Sequence, residues 1–212
     1  MTTATTIKST TEYSDVPTPD QIQRVSFRVP RRIEIVEPDP AWPAQFAQIA
    51  SLIRGALGDA ALSIDHVGST SVPGLPAKPV IDVDLVVRDA ADEATYVPAL
   101  EAAGLQLLYR EPLWYEHRFF GLAEPYANVH VFGTDSPEPK RHAMFREWLK
   151  EHPDDSVKYA TVKRAAAEAS EQAKESVNQY NARKAYVIQE ILARISHAHG
   201  LVSDDHMGME QK

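Results

Sequence analysis

Residues 64–87 constrain this chain more than any other stretch. Leu62, Ile64 and Val67 read as a strand, Gly68-Ser69-Thr70-Ser71 as a bend, and Val72-Pro73-Gly74-Leu75-Pro76 as a turn leading into a second strand over 80–87. Side chains alternate faces along a strand, so Ile81, Val83, Leu85 and Val87 share one face and Asp82 and Asp84 the other. The apolar face must be buried. The acidic face must be wet or neutralised, because neighbouring carboxylates repel and are costly beside a core. One reading is a half-exposed strand with a solvated side. The other is a divalent-cation site, since Mg²⁺ takes oxygen ligands, typically one or two carboxylates together with substrate phosphates. The bend bears on the choice. The backbone N–H groups of Gly68, Ser69 and Thr70, with the two hydroxyls, are suited to hold a phosphate, and Lys78 lies just before the acidic strand. Phosphate donors and carboxylates on adjacent strands suit phosphoryl or nucleotidyl transfer.

The remaining pattern places this unit in an α+β (α/β) chain. Ile33, Ile35 and Val36 predict a short strand closed by Glu37-Pro38-Asp39-Pro40. Asp39 can cap a helix in which Trp42, Phe46, Ile49, Ile53 and Leu57 recur at helical spacing, with Gly58 ending it. A helix is predicted over 90–103, strands over 105–109, 117–121 and 127–132, and helices over 141–151, 154–172 and 177–195. Strands mixed with helices, followed by an all-helical end, predict a mixed sheet with flanking helices and a helical C-terminal segment. Residues 1–30 and 199–212 are polar and lack a sustained period, which predicts tails. The domain is expected over 31–198, with an α/β core at 31–135 and the helical segment at 138–198.

Net charge of -8 argues against an extended nucleic-acid surface, though not against a small basic pocket. With no cysteine, a disulfide framework and a thiolate metal site are excluded. No apolar run approaches the ~20 residues of a membrane span, so a cytoplasmic protein without membrane association is expected. Oligomeric state is not encoded in any feature of the pattern.

The run His66-Val67-Gly68-Ser69-Thr70-Ser71-Val72-Pro73-Gly74-Leu75-Pro76-Ala77-Lys78-Pro79-Val80-Ile81-Asp82 closely resembles the GrpB family, which is placed in the nucleotidyltransferase superfamily with DNA polymerase β and the aminoglycoside nucleotidyltransferases. The resemblance extends to Ile35-Val36-Glu37-Pro38-Asp39-Pro40-Ala41-Trp42, Val129-His130-Val131, Phe145-Arg146-Glu147-Trp148-Leu149, Tyr159 with Lys163, and Tyr180 with Lys184. It implies a nucleotidyltransferase-like mixed sheet in which Gly68, Ser69 and Thr70 hold a triphosphate and Asp82 and Asp84 hold metal, Mg²⁺ or Mn²⁺. A third carboxylate completes such sites, and His130 stands at the matching position. An imidazole there suits Zn²⁺ or Mn²⁺ better than Mg²⁺ as a ligand, or serves as general base.

Other candidates carry two readings each. Arg118 either clamps a phosphate or forms an ion pair, for instance with Glu116. Tyr159 and Lys163, like Tyr180 and Lys184, are spaced i, i+4 on a helix; either the lysines reach a triphosphate or the rings pack on lysine stems. Trp42, Phe46, Phe145 and Trp148 read as core, Trp114 and Tyr115 as loop-edge packing, and His142, His152, His197, His199 and His206 show no metal-ligand spacing. The resemblance thus implies transfer of a nucleoside monophosphate from a nucleoside triphosphate to a small-molecule acceptor, with Asp82, Asp84 and His130 as catalytic and metal residues and Gly68, Ser69, Thr70, Lys78, Arg118 and Lys163 on the phosphates. The alternative is a non-catalytic nucleotide-binding or accessory module related to coenzyme A metabolism, since GrpB-like domains also occur fused to dephospho-coenzyme A kinase. No kinase P-loop run is present in this chain. A third possibility is other phosphotransfer or ligase chemistry on the same fold.

Overall fold

The structure, a computed structural model, describes residues 18–201. Its strands are β1 Gln23–Arg24, β2 Ser63–Val67, β3 Ile81–Val86, β4 Gln106–Glu111, β5 His117–Leu122 and β6 Ala127–Phe132. Its helices are α1 Trp42–Leu57, α2 Val97–Ala102, α3 Glu138–Glu151, α4 Pro153–Gln172 and α5 Val177–Ala198. The strands form one sheet in the order β1-β4-β5-β6-β3-β2. Only β3 and β6 run parallel, in the register Asp82↔Asn128 and Asp84↔His130. This is the predicted mixed sheet with flanking helices and a helical C-terminal segment.

The alternation along β3 divides the molecule. Ile81, Val83 and Leu85 face a core built with Trp42, Ile49, Ile53, Leu100, Phe120 and Val129, so α1 and α2 cover this side of the sheet. Val72 and Leu75, from the turn after the glycine bend, enter a second core with Leu149, Tyr159, Val187, Ile191 and Ile195. That turn therefore pins the helical segment to the acidic strand. Met144, Phe145 and Trp148 pack against the same cluster, as their spacing predicts.

Local differences from the expected elements have local causes. Asp39 Oδ1 accepts the Ala41 N–H at 2.8 Å, fixing the turn before α1 while Ala41 itself occupies the N-cap. Gly58 ends α1 at φ +54°. The helix expected over 90–103 is reduced to α2 after a single 3₁₀ turn, Glu93–Thr95. Pro98 has no N–H to bond the preceding turn and so fits only in the first turn of a helix, where α2 begins, and the buried Tyr96 hydroxyl donates back to Ala90 O at 2.6 Å. The strand expected at residues 33–36 is only an isolated bridge, Val36↔Ala77.

The tail boundary expected at residue 30 is corrected. β1 pairs with β4, and Val25 and Ser26 N–H groups both donate to Leu108 O. Arg28 donates to Ala127 O at 2.6 Å and lies where a Cβ on Gly121 would sit 2.8 Å from its guanidinium. Hydrogen bonds and one arginine, rather than apolar burial, hold this strap, so composition misses it. The rest of the expected tails, 1–17 and 202–212, lies outside the described residues. Among the described residues no helix is long and apolar enough to cross a membrane.

Candidate functional site

The glycine bend and the acidic strand meet. Val67 stands opposite Asp82 in the β2–β3 register, and the chain turns at Gly68 with φ +69°. A Cβ there would lie 2.5 Å from Asp82 Oδ2, so a side chain is excluded by space as well as by backbone conformation. Ser69–Ser71 then form one 3₁₀ turn, whose first N–H groups have no acceptor within the turn. The Ser69 side chain shares a hydrogen bond with Tyr159 of α4. Thr70 corrects an expectation. Its hydroxyl is buried, donates to Val80 O at 3.2 Å and pairs with His66 Nε2 at 3.0 Å, so it holds the bend in shape and is not free for a phosphate.

Asp82 is gripped on one oxygen. Asn128 Nδ2 donates to Asp82 Oδ1 at 2.7 Å, and Arg28 donates to Asn128 Oδ1 at 2.6 Å. Because the guanidinium can only donate, it fixes which end of the amide faces Asp82. Burial raises the Asp82 pKa, and the Asn128 bond, Lys78 and Lys184 oppose that. Arg28→Ala is expected to cost about 1.5–3 kcal/mol, the usual worth of hydrogen bonds to a charged group, as a lowered urea midpoint.

Three lysines share the field of Asp82. Lys78 precedes β3 and lies 4.8 Å from the Tyr180 ring, with Lys184 5.5 Å from that ring. Lys163 is 2% exposed, lies 4.6 Å over the Tyr159 ring and donates to Pro76 O at 2.6 Å. Burial lowers all three pKa values, that of Lys163 to about 7 and that of Lys184 to about 8. The rings do pack on the lysines, and the Asp82 carboxylate acts on all three ammonium groups against burial.

Asp84 is fully buried. Its Oδ2 pairs with His142 Nδ1 at 2.8 Å, and its Oδ1 is the one buried side-chain polar atom among the described residues that lacks a partner. Burial acts to lower the His142 pKa, but the Asp84 carboxylate outweighs it and holds the value at about 8. His142 has no ligand spacing with other histidines, so motif reasoning missed it. The available signal was a polar stripe on α3: Glu138, His142 and Arg146 recur every fourth residue, with Glu138 3.8 Å from His142 and Arg146 donating to His66 O.

His130 lies beside Asp84 in the sheet register but is turned toward a different partner. Its Nδ1 bonds to His117 Nε2 at 3.1 Å. Among the described residues no group of three or more His, Asp or Glu side chains is arranged to hold a metal ion, so Asp82, Asp84 and His130 do not form the metal trio that was expected. Two carboxylates completed by substrate phosphates remain a fit for Mg²⁺ or Mn²⁺, because the buried Asp84 Oδ1 is an acceptor left without a hydrogen-bond donor.

Of the two readings of Arg118, the structure has the ion pair, Glu116 included. The residue pairs with Val131, the neighbour of Leu85, and therefore projects on the sheet face opposite Asp84. There it donates to Glu93 at 2.6 Å and to Glu116, and Arg110 clamps the same Glu93. It is a buried ion-pair residue on the side of the sheet away from Asp82 and Asp84. Trp114 packs edge-on to His117 and Phe132, as loop-edge packing predicts.

A mixed sheet that sets a glycine-serine bend against an Asp-x-Asp strand, with helices closing one side, defines a nucleotidyltransferase-like α+β domain. Within that class the chain belongs to the GrpB family, whose model, described as GrpB protein, matches residues 32–194. It is 47% identical over 162 residues to a UPF0157 protein of Halalkalibacterium halodurans, covering 76% of this chain and 82% of that one. It is 32% identical to a dephospho-CoA kinase of Mycolicibacterium paratuberculosis, over 66% of this chain but 40% of the kinase. The crystal structure of a conserved GrpB protein from Enterococcus faecalis superposes with a TM-score of 0.62 at 27% identity, covering 76% of this chain and 98% of that one.

Proposed function

We propose that this protein binds a nucleoside triphosphate with Mg²⁺ or Mn²⁺ and transfers its nucleoside monophosphate to a hydroxyl of a small-molecule acceptor. The observation that carries the reading is the packing of Gly68 onto Asp82 beside Lys78, Lys163 and Lys184. A glycine bend, the Asp82 carboxylate and three lysines whose pKa values that carboxylate raises against burial come together in a chain of net charge -8. Asp82 and Asp84 would hold the ion, which when bound supplies positive charge to the reacting phosphate oxygens. Ser69 and the bend's N–H groups orient the phosphates, and the lysines offset their charge. Asn128 and Arg28 keep Asp82 aimed. His130 takes the acceptor's proton.

The second reading is a nucleotide-binding accessory module near coenzyme A metabolism. It is favoured by the matched segment in the dephospho-CoA kinase of Mycolicibacterium paratuberculosis. Titration calorimetry with a non-hydrolysable nucleoside triphosphate, with and without Mn²⁺, tests both. Absence of binding under either condition rejects both readings. Metal-dependent binding supports the enzyme, and metal-independent binding the module.

The lysines give binding a second signature. At about pH 8 Lys163 is mostly neutral, its pKa lowered to about 7 by burial and then by Lys184. An incoming polyphosphate raises that value, so binding takes up protons. Enthalpies measured in buffers of different ionisation heat should differ in the sense of proton uptake at pH 8 and converge near pH 6.

A further inference from the structure

Glu111, His117 and His130 form a buried hydrogen-bonded chain that ends beside Asp84. Glu111 Oε2 lies 2.5 Å from His117 Nδ1, and His117 Nε2 lies 3.1 Å from His130 Nδ1. His117 is 1% exposed and Glu111 7%, and the Trp114 ring closes over His117 at 5.0 Å. The connecting hairpin places Tyr115 and Glu116 at φ +53° and +52°, which brings Trp114 back over the chain it shields.

The hydrogen-bond polarity of this chain follows from one group. A neutral imidazole carries one N–H. When Glu111 is ionised its oxygen only accepts, so His117 carries its proton on Nδ1. His117 Nε2 is then bare and accepts, so His130 must donate from Nδ1. His130 Nε2 is left without a proton. When Glu111 is protonated it donates to His117 Nδ1, every bond reverses, and His130 carries its proton on Nε2.

We propose that Glu111 is the terminal proton store of a relay through His117 to His130, and that its protonation state decides whether His130 presents a bare or a protonated Nε2. In the proposed transfer, the acceptor hydroxyl gives its proton to His130 Nε2. The His130 Nδ1 proton passes to His117 Nε2, and the His117 Nδ1 proton passes to Glu111 Oε2. The acceptor oxygen forms its bond to the α-phosphorus, and pyrophosphate leaves with the electron pair of the broken P–O bond. No imidazolium forms at any point. This resolves a difficulty in using His130 as a base, because burial lowers its own pKa to about 3 whereas burial raises that of Glu111 to about 7. The groups facing the relay are Tyr109 on β4, His142 on α3 and Asp84 on β3, and the Arg118 charge acts on His117 from the opposite face of the sheet. Glu111 and His117 are positioning residues, and only His130 would meet substrate.

The catalytic consequence rests on the nucleotidyltransferase reading, but the tautomer switch does not. Full-length protein labelled with ¹⁵N-histidine is followed by long-range ¹H–¹⁵N correlation between about pH 5.5 and 9. His117 and His130 are expected as Nδ1–H tautomers at high pH and Nε2–H tautomers at low pH, both neutral throughout, with a midpoint near 7. In Glu111→Gln the switch disappears, and any transfer rate falls roughly 10²-fold and loses its limb near pH 7. A His130 that keeps one tautomer, that becomes an imidazolium across this range, or that still switches in Glu111→Gln overturns the relay. The wild-type series alone decides if the variant does not fold. A protein that switches but binds no nucleoside triphosphate retains the relay and loses the proposed function.

Discussion

Asp84→Asn is expected to lower metal-dependent nucleotidyl transfer roughly 10²–10³-fold, the usual cost of removing one electrostatic group that acts on the reacting phosphate. The substitution is nearly isosteric at a fully buried position, so the backbone has no reason to move. What changes is charge. Oδ1 has no protein donor, and it is the atom through which the carboxylate would meet a cation; an amide there supplies a weaker acceptor or points an N–H at the ion. Oδ2 is the partner of His142, whose pKa near 8 depends on that negative charge, so the imidazole should titrate lower in the variant. Pyrophosphate release at saturating Mn²⁺ measures the first effect and a histidine NMR titration the second. Triphosphate affinity without metal should be nearly unchanged, since the lysines and the glycine bend are untouched. If affinity with Mn²⁺ is also unchanged, the pocket holds nucleotide without using metal, and the accessory reading prevails.

Gly68→Ala should remove triphosphate binding, weakening it at least tenfold, and destabilise the fold by about 1–3 kcal/mol from backbone strain alone. The site demands glycine twice over. Backbone at φ +69° disfavours any Cβ, and the new atom would lie 2.5 Å from Asp82 Oδ2 and 3.0 Å from Asp82 Cβ. Asp82 sits on a central strand held by Asn128 and cannot yield without breaking that bond. Gly74 is the matched control. Its φ is +77°, yet a Cβ there meets nothing within 4 Å. Gly74→Ala should pay only the strain and keep its affinity. Equal loss of binding in both variants would mean that the bend matters for stability and not for contact with phosphate.

Much of the architecture was legible because it rests on short periods. The two-residue alternation of β3, the three- and four-residue spacing of Trp42, Phe46, Ile49 and Ile53, and the glycine stop at Gly58 each operate within one element. Where the prediction strayed, the cause was longer in range or opposed the local pattern. Pro98 cut the helix expected over 90–103. The strap at residues 23–28 has no apolar period and is ordered by β4 and by Arg28, which finds its acceptors about a hundred residues away. The guanidinium fork of Arg118 suits a phosphate clamp or an ion pair, and only the β5–β6 register shows that it faces away from the acids.

Sequence alone determined that one strand carries two acids opposite a buried apolar face, preceded by a bend only glycine can make, since strand parity and backbone sterics are properties of a few consecutive residues. Tertiary structure alone decided what surrounds those acids. His142 reaches Asp84 across 58 residues, Lys163 reaches the turn at Pro76 across 87, and Arg28 reaches Asn128 across 100. Such approaches arise from how helices dock on a sheet. No spacing within a linear chain encodes them, and the electrostatics of the site follow from them.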